Sequence, residues 1–448
     1  MRARVIGAGL HSAAAAGGGG VTAPAGHERV RMGQIVTRQL ACGMPLIVEV
    51  MSGVRSAGFS WLVPAGVGRE PEDRQGLGAL WAELLLRGAG GLRSREHADA
   101  LDRLGVGRST DVGTYHLRVA ATMLGERLVE ALPLIVDMVR RPRLEAESVE
   151  PARDLALQAI ESLKDEPQER AVLSARQRHF PVPFNRATQG TAEGLRAITR
   201  EELVEGWAAR ACPGGSILGV AGAVEPDALA SRLDALLAGW TGECPPPRAG
   251  AAPARGYAHE SDNSNQVQVV AMMDAPPEPH ADSLLEKVVN SVLSGGMAGR
   301  LFTEVREKRG LCYSVSASYA PGKEFGSVLA YVGTTPERAQ TSLEVLLAEL
   351  ARIATPEGAV TRDELDRALI GMKSRLIFGG ESTAARAAAL VYDHHRLGRA
   401  RSLEEIAAQL DGVSLERVNG YLAGRRLEWG GRLTIQTVGP SPLTPPAA

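Results

Sequence analysis

Histidine side chains that could bind a metal ion are spread thinly along this sequence. His394 and His395 are adjacent, so on a helix their side chains would point about 100° apart and could not chelate one ion by themselves. A solvated pair is the expectation there. Several other histidines have no second ligand at a recognisable spacing: His97, His116, His179, His259 and His280. Histidine spacing therefore indicates no metal site.

Two segments are candidates for a binding site, and one of them carries groups that could bind a substrate. Residues 306–313 read REKRGLCY and bring a guanidinium, Arg306, and a phenol, Tyr313, into one short stretch. Taken alone, this stretch predicts the solvated end of a helix followed by a half-buried strand that begins at Tyr313. The turn Ser294-Gly295-Gly296 lacks the Lys-Ser/Thr of a P-loop, so it predicts a loop between helices and no nucleotide site.

Composition indicates a globular protein of several domains. The chain has 448 residues, of which 44% are apolar and 23% charged, and this length favours about two to four domains. The net charge is −2, and the arginines are scattered rather than grouped in stripes. No field of the whole molecule would therefore attract nucleic acid or an anionic membrane.

The cysteines and the first residues bear on the compartment. The four cysteines, at positions 42, 212, 244 and 312, show neither C-x-x-C spacing nor the density of a disulfide-rich domain, so we expect a reducing, cytoplasmic compartment. No apolar run approaches the roughly 20 residues of a membrane helix. Residues 1–33 are rich in Ala and Gly and predict a flexible leader; a transit peptide and a gene start placed too early are alternatives.

The elements that would position these groups begin near residue 34. Two apolar runs in residues 34–51, separated by the turn signal Cys42-Gly43-Met44-Pro45, predict a hairpin. Residues 56–66 predict a third strand. Residues 76–88, GLGALWAELLLRG, have helical apolar spacing with Gly88 as a terminator, and Ser94 is expected to cap the next helix.

The same order of elements returns after a Pro/Ala/Gly-rich segment, residues 243–256. There QVQVVAMMDAP corresponds to SAGFSWLVPAG, SLLEKVVNSVLSGG to GLGALWAELLLRG, and TRDELDRALIGMKSRL to ESVEPARDLALQAIESL. Strand meanders beside helices predict an α+β fold with two homologous α/β-layer halves. We therefore predict an N-terminal domain at 34–242, a linker at 243–256 and a C-terminal domain at 257–448.

Several segments resemble the insulinase and pitrilysin-type peptidases, and in particular their processing-peptidase branch. They include VPAGVGREPEDRQGLGALWAELLLRGAG, DEPQERA and FNRATQGTAEGLRAITREELVEGWAAR in the first half. In the second half they are SGGMAGRLFTEVREKRGLCYSVSASYAPGKEFGSVLAYVGTTPE and RLGRARSLEEIAAQLDGVS. The resemblance covers most of the chain and implies that the two halves form a clamshell.

The zinc ligands that the resemblance implies are missing. Catalytic members carry H-x-x-E-H on the helix that here reads GLGALWAELLLRG, because two histidines one turn apart can share one zinc ion while the glutamate activates its water. Aligning the flanking Gly-Leu and Arg-Gly pairs places Ala79, Ala82 and Glu83 at these positions. The family's third ligand, a glutamate before the DEP segment, falls on Ala159. The resemblance thus predicts a chain without zinc and without independent peptidase activity.

A substrate-binding pair is retained. In this family the pattern R-E-K-x-G-L-x-Y supplies an arginine and a tyrosine that help to hold the substrate, and the resemblance gives these roles to Arg306 and Tyr313. It implies a heteromer in which a catalytic homologue brings H-x-x-E-H and zinc, while this chain forms one wall of a peptide-binding chamber. The segments GSILGVAGAV and SAGFSWLVPAG are candidate strand edges for an extended peptide.

Two alternative functions and one alternative partner stay open. The chain could be a non-enzymatic scaffold or assembly subunit derived from the same family, which would have no need of Arg306 and Tyr313. A peptidase with a relocated metal would contain about one zinc ion per chain. The partner could also be a second copy of this chain.

Overall fold

The computed structural model describes residues 33–252, 254–425 and 433–445, and these belong to one compact unit. The predicted leader, residues 1–33, lies outside the described residues except for Gly33. No helix within the described ranges is long and apolar enough to cross a membrane.

The first half is built on one mixed sheet. The strands of this half are β1 (Gln34–Gln39), β2 (Pro45–Val50), β3 (Ser56–Val63), β4 (Gly88–Ala89), β5 (Leu92–Arg93), β6 (Gly107–Val112), β7 (Leu117–Leu124) and β8 (Ile217–Gly222), of which β4 and β5 pair only with each other. Its helices are α1 (Leu77–Leu84), α2 (Ser94–Arg103), α3 (Leu128–Arg140), α4 (Ala146–Ser162), α5 (Pro167–His179), α6 (Ala192–Ala197), α7 (Arg200–Arg210) and α8 (Pro226–Leu236). Six strands pair in the order β1-β2-β8-β3-β7-β6, with β2 and β8 parallel and the other neighbours antiparallel.

The second half repeats this plan with a smaller sheet. Its strands are β9 (Gly256–Ser261), β10 (Val267–Ala275), β11 (Cys312–Pro321), β12 (Gly326–Thr334) and β13 (Thr434–Gly439). Its helices are α9 (Ser283–Ser294), α10 (Ala339–Arg352), α11 (Arg362–Gly380), α12 (Thr383–Leu397), α13 (Leu403–Asp411) and α14 (Leu415–Gly424). The strand order is β11-β12-β10-β13-β9, with β13 and β9 parallel. The predicted α+β class with two sheet-plus-helix halves is confirmed.

Local signals in the sequence locate most of these elements. The predicted hairpin is β1 and β2, which pair antiparallel across a turn in which Gly43 adopts φ 86°. The helix predicted over 76–88 is α1, but it ends at Leu84, and Gly88 with φ 108° lies beyond its end. Ser94 is the first residue of α2 rather than its cap, and the backbone N–H of Arg93 donates to Glu96 Oε2 at 2.9 Å.

Each sheet is covered on one face by a helix from the other half. Helix α5 packs on β10 and β13, and α12 packs on β2, β3 and β8. Glycines allow the close approach of α12, because a Cβ on Gly58 would lie 2.3 Å from the carbonyl oxygen of Thr383 and one on Gly219 would lie 2.8 Å from that of Ala387. The linker at residues 243–256 stays a prediction. Helix α8 of the first half precedes it, and β9 of the second half begins at its last residue, Gly256.

A buried ion pair fastens α12 to the first sheet. Arg386 Nε donates to Glu49 Oε2 at 2.7 Å, and both side chains are almost fully buried. Around this pair, Ile47 and Leu62 of the sheet pack against Leu390 of α12. The opposite face of the same sheet buries the main core of the first half, which includes Phe59, Trp61 and Trp81. The first sheet therefore depends on residues from both halves of the chain.

Candidate functional site

Helix α1 is anchored at its start by a buried carboxylate. Glu70 accepts hydrogen bonds from the backbone N–H groups of Gly76 at 2.9 Å and Gly78 at 2.7 Å, which are donors without partners inside the helix. Burial raises the pKa of Glu70 while these two bonds oppose the rise. Gly76 itself has φ 123°, a conformation that suits glycine. Glu70 and Gly76 thus determine where α1 begins.

The apolar face of α1 fixes its rotation. Leu80, Trp81 and Leu84 are fully buried, and Trp81 Nε1 donates to the carbonyl oxygen of Leu203 at 3.0 Å. The Trp81 ring also packs edge-on against Trp207, with ring centroids 5.6 Å apart. The remaining face of the helix has three half-buried positions, and α4 and β6 both contact α1.

The positions that correspond to the zinc motif lie on this remaining face. Ala79 and Ala82 are half-buried, and neither side chain has an atom that can bind a metal. Glu83 is engaged by Arg87 one turn later, whose Nη2 and Nε lie 2.7 and 2.9 Å from Glu83 Oε1. Ala159 lies exposed on α4, which packs beside α1. The structure therefore places α1 and α4 side by side without the side chains that zinc needs.

These residues do not fit a catalytic zinc ion. Such a site normally takes three protein ligands, whereas this face offers the single carboxylate of Glu83, already paired with an arginine. Across the described ranges, no group of three or more His, Cys, Asp or Glu side chains is arranged to hold a metal ion. We derive no catalytic step through zinc in this chain.

Arg306 and Tyr313 lie together on the surface of the second half. Arg306 belongs to a short π-helix, Phe302–Glu307, and its guanidinium carbon lies 4.8 Å from the Phe302 ring centroid and 5.2 Å from that of Tyr313. Tyr313 is 82% exposed and stands at a bulge in β11, between Cys312 and Ser314. Bulges and π-helical turns change the direction of a side chain and are frequent at functional sites. The strand expected to begin at Tyr313 begins one residue earlier, at Cys312.

The strand edges differ from those expected. The segments GSILGVAGAV and SAGFSWLVPAG form β8 and β3, which lie inside the first sheet and are paired on both sides. They cannot receive another strand, so this prediction is wrong. The edges of the sheets are instead β1, β6, β11 and β9. Two of them adjoin the candidate residues: Thr110 of β6 donates through Oγ1 to the carbonyl oxygen of Ala82 at 2.6 Å, and β11 carries Tyr313.

Two histidines that are far apart in the sequence, His116 and His395, meet between the halves. The His116 ring packs edge-on against His395 with centroids 4.6 Å apart, and Tyr115 lies 4.7 Å from the same His395 ring. His116 Nε2 is 3.1 Å from the carbonyl oxygen of Gly215. Burial lowers the pKa of His116 to about 4 and that of His395 to about 3. His395 is thus half-buried against the Tyr115 and His116 rings, whereas the sequence predicted a solvated pair.

Two other histidines occupy structural positions. His97 Nε2 lies 3.1 Å from the carbonyl oxygen of Leu134, and His179 Nδ1 lies 3.1 Å from Thr434 Oγ1. Both histidines are buried. These contacts hold core elements together, as the isolated spacing of these histidines suggests.

Comparisons with known proteins agree with this architecture. The family model described as "Insulinase (Peptidase family M16)" matches residues 50–186, and the one described as "Peptidase M16 inactive domain" matches residues 197–372. Relatives named as zinc proteases match most of the chain. One from Mycobacterium bovis is 27% identical, covering 86% of this chain and 90% of its own. One from Streptomyces coelicolor is 24% identical, covering 91% and 90%.

Solved structures show the same fold. A peptidase M16 inactive domain from Pseudomonas fluorescens superposes with a TM-score of 0.81 at 20% identity, covering 93% of this chain and 100% of its own. A protease from Helicobacter pylori gives a TM-score of 0.80 at 15% identity, covering 91% and 100%. At these identities the likeness concerns the fold.

Proposed function

The chain belongs to the insulinase family of peptidases, family M16, and from this premise we propose that it is the non-catalytic subunit of a heteromeric zinc peptidase. In this proposal a homologue that carries H-x-x-E-H supplies the zinc and the water that it activates. This chain supplies one wall of the chamber and contacts to the peptide substrate. It works in the cytoplasm, where its four free cysteines would stay reduced.

The observation that carries the proposal is the contrast between the two halves. On the first half, the helix face at Ala79 and Ala82 has no group that can bind zinc, and Glu83 is paired with Arg87. On the second half, Arg306 and Tyr313 present a cation and a phenol together at the surface. A chain that served assembly alone would have no need of this second arrangement.

The geometry of the pair suits a peptide carbonyl. A guanidinium offers several N–H donors in a fixed fork, and a phenol offers one more. The rings of Phe302 and Tyr313 hold the Arg306 guanidinium by stacking, and no carboxylate in the described part of the chain forms an ion pair with it. Its donors are therefore free for a substrate oxygen, including the negative oxygen that develops during hydrolysis in the partner's site.

An extended peptide would also find unpaired backbone near these groups. Strand β11 is an edge strand that carries Tyr313, and half of its residues are exposed. Edge strand β6 runs beside α1 in the same way on the first half. Main-chain pairing with either edge binds a segment with little regard to its sequence.

Co-expression with a homologue that carries H-x-x-E-H tests the proposal. We expect the two chains to co-purify and to cleave an unstructured fluorogenic peptide that neither chain cleaves alone. Arg306→Ala and Tyr313→Phe in this chain should each lower kcat/KM roughly tenfold or more, because each removes a hydrogen bond to a charged or developing oxyanion. Arg309→Ala is the matched control, since Arg309 lies three residues away and pairs with Glu304.

Three results would contradict the proposal. Failure of the two chains to co-purify, together with unchanged activity in both variants, would favour a scaffold. Equal losses in Arg309→Ala and Arg306→Ala would point to a general effect of surface charge. Cleavage of the peptide by this chain alone, abolished by a chelator, would reveal a metal site of its own.

A further inference from the structure

Helix α9 of the second half stands where α1 stands in the first. The burial of successive residues follows the same pattern from Leu77 to Leu85 as from Leu285 to Leu293. In both runs the third, sixth and seventh residues are half-buried and the other six are buried. The runs are offset by 285 − 77 = 208 residues, and the buried carboxylates Glu70 and Glu278 have the same offset, 278 − 70 = 208. This offset aligns the two helices residue by residue.

The alignment gives each lost zinc position a counterpart in the second half. The counterparts on α9 are polar: Lys287 for Ala79, Asn290 for Ala82 and Ser291 for Glu83. For the third ligand, α5 begins at Pro167 and α12 at Thr383, an offset of 383 − 167 = 216 residues. Adding 216 to 159 gives Arg375 on α11. The four counterparts lie on the walls of one cavity of about 1130 Å³.

Cations outnumber carboxylates around this cavity. Its charged walls are formed by Lys287, Arg375, Arg399, Arg401, Arg417 and Glu278. Three of the cations pair with acids: Lys287 with Glu278 at 2.6 Å, Arg401 with Asp393 at 2.6 Å and Arg399 with Glu405 at 2.5 Å. Two of the five cations therefore have no carboxylate partner in the described part of the chain, although the whole chain has a net charge of −2.

The excess charge resides on two exposed arginines. Arg375 Nη2 donates weakly to Ser291 Oγ at 3.5 Å, and Arg417 Nη1 donates to the carbonyl oxygen of Gly412 at 3.1 Å. Within the described ranges of the chain, neither arginine forms an ion pair with a carboxylate. Each guanidinium keeps donors that suit a carboxylate in the bidentate geometry that arginine favours.

We infer that this cavity binds a peptide segment through its carboxylate groups, so that the second half holds a peptide subsite at the place equivalent to the lost zinc site of the first. The cavity is large enough for several residues, since drug-sized ligands fill about 300–1,000 Å³. The assignment of a peptide, rather than another anion, rests on the proposed function. Arg375 and Arg417 are the groups that hold the carboxylates.

Direct binding to the full chain, without any partner, tests this inference. The probe is a fluorescein-labelled decapeptide of alternating Glu and Gly, and the comparison peptide has Gln in place of Glu. We expect fluorescence anisotropy to show that the Glu peptide binds at least tenfold more tightly than the Gln peptide. Binding of the Glu peptide should weaken with added salt. Arg375→Gln and Arg417→Gln should each weaken it roughly tenfold. Arg362→Gln, on the same helix and outside the cavity, should leave it unchanged.

Several outcomes would overturn the inference. Equal binding of the two peptides, or equal binding by the wild type and both cavity variants, would remove the carboxylate subsite. Inorganic phosphate that displaces the peptide at micromolar concentration would assign the cavity to a free anion. Circular dichroism confirms that each variant is folded. Because the partner is absent, failure here leaves the co-expression result with Arg306 unaffected, and the two proposals can fail separately.

Discussion

Four substitutions on α1 and α4 test whether these helices are still placed as the walls of a zinc site. We expect a variant with Ala79→His, Ala82→Glu, Glu83→His and Ala159→Glu to retain about one zinc ion per chain after dialysis, measured by atomic emission. Two histidines at positions 79 and 83 would lie one turn apart on the same helix face, and the third ligand would come from the neighbouring helix. The change at 83 also releases Arg87 from its ion pair.

The control for this variant omits Ala159→Glu. It should bind zinc more weakly, because two protein ligands replace three. The wild-type chain should retain no stoichiometric zinc. If the wild type keeps the metal, or if the four-residue variant binds none, the placement of these positions as a former zinc site is wrong.

For individual residues, the sequence is informative where the functional groups lie on one helix. The spacing of H-x-x-E-H is set by one helical turn, so the loss of ligands at Ala79 and Glu83 is visible from sequence alone. The meeting of His116 with His395 is not, because it joins residues far apart in the chain through the packing of the two halves. The exposure of Tyr313 depends on a bulge in β11, and no residue type in this segment predicts that bulge.

At the scale of elements, the docking of α12 on the first sheet makes a measurable contribution to stability. Arg386→Met should lower the free energy of unfolding by about 3–5 kcal/mol, because it leaves the buried carboxylate of Glu49 without a counter-charge. Burial already raises the pKa of Glu49 while Arg386 opposes the rise. Urea unfolding followed by circular dichroism measures the change.

Two further variants separate this effect from general loss of an arginine. The double variant Glu49→Gln/Arg386→Met should recover most of the loss, since no buried charge remains. Arg399→Met should cost less than about 1 kcal/mol, because the Arg399–Glu405 pair is exposed on the surface. A loss in Arg386→Met no larger than in Arg399→Met would show that the buried pair does not secure α12.

Most helices and strands could be predicted from the sequence, but which of them pack or pair with one another could not. Apolar periodicity located the hairpin, the third strand and the helix at α1, and the repeat of the pattern gave the second half. The order of strands escaped prediction, because β8 reaches the centre of the first sheet after five intervening helices. Gly58 and Gly219 signal close packing only once α12 is known to lie over them.

At the scale of the whole molecule, the exchange of α5 and α12 makes the two halves depend on each other. Each helix covers a sheet of the half to which it does not belong by sequence. The repeat alone predicts two equivalent halves but not this exchange. Apolar periodicity predicts that one face of a helix or strand is buried, but it does not predict which element packs against that face. Groups located where the halves meet, such as His116 and His395, should therefore report on the integrity of the whole chain.

The stability of the whole molecule should fall as the pH drops from about 6.5 toward about 4. In the folded state burial, aided by the nearby cation Lys323, lowers the pKa of His116 to about 4 and that of His395 to about 3. In the unfolded chain both imidazoles take up protons near their ordinary pKa of about 6.5, so acid favours unfolding. Urea midpoints at about pH 7 and about pH 5 measure the slope. His395→Asn should reduce this dependence on pH by removing one titrating imidazole, and Lys323→Gln should reduce it less by removing one nearby cation. A pH dependence that is unchanged in both variants would exclude the histidine pair as its source.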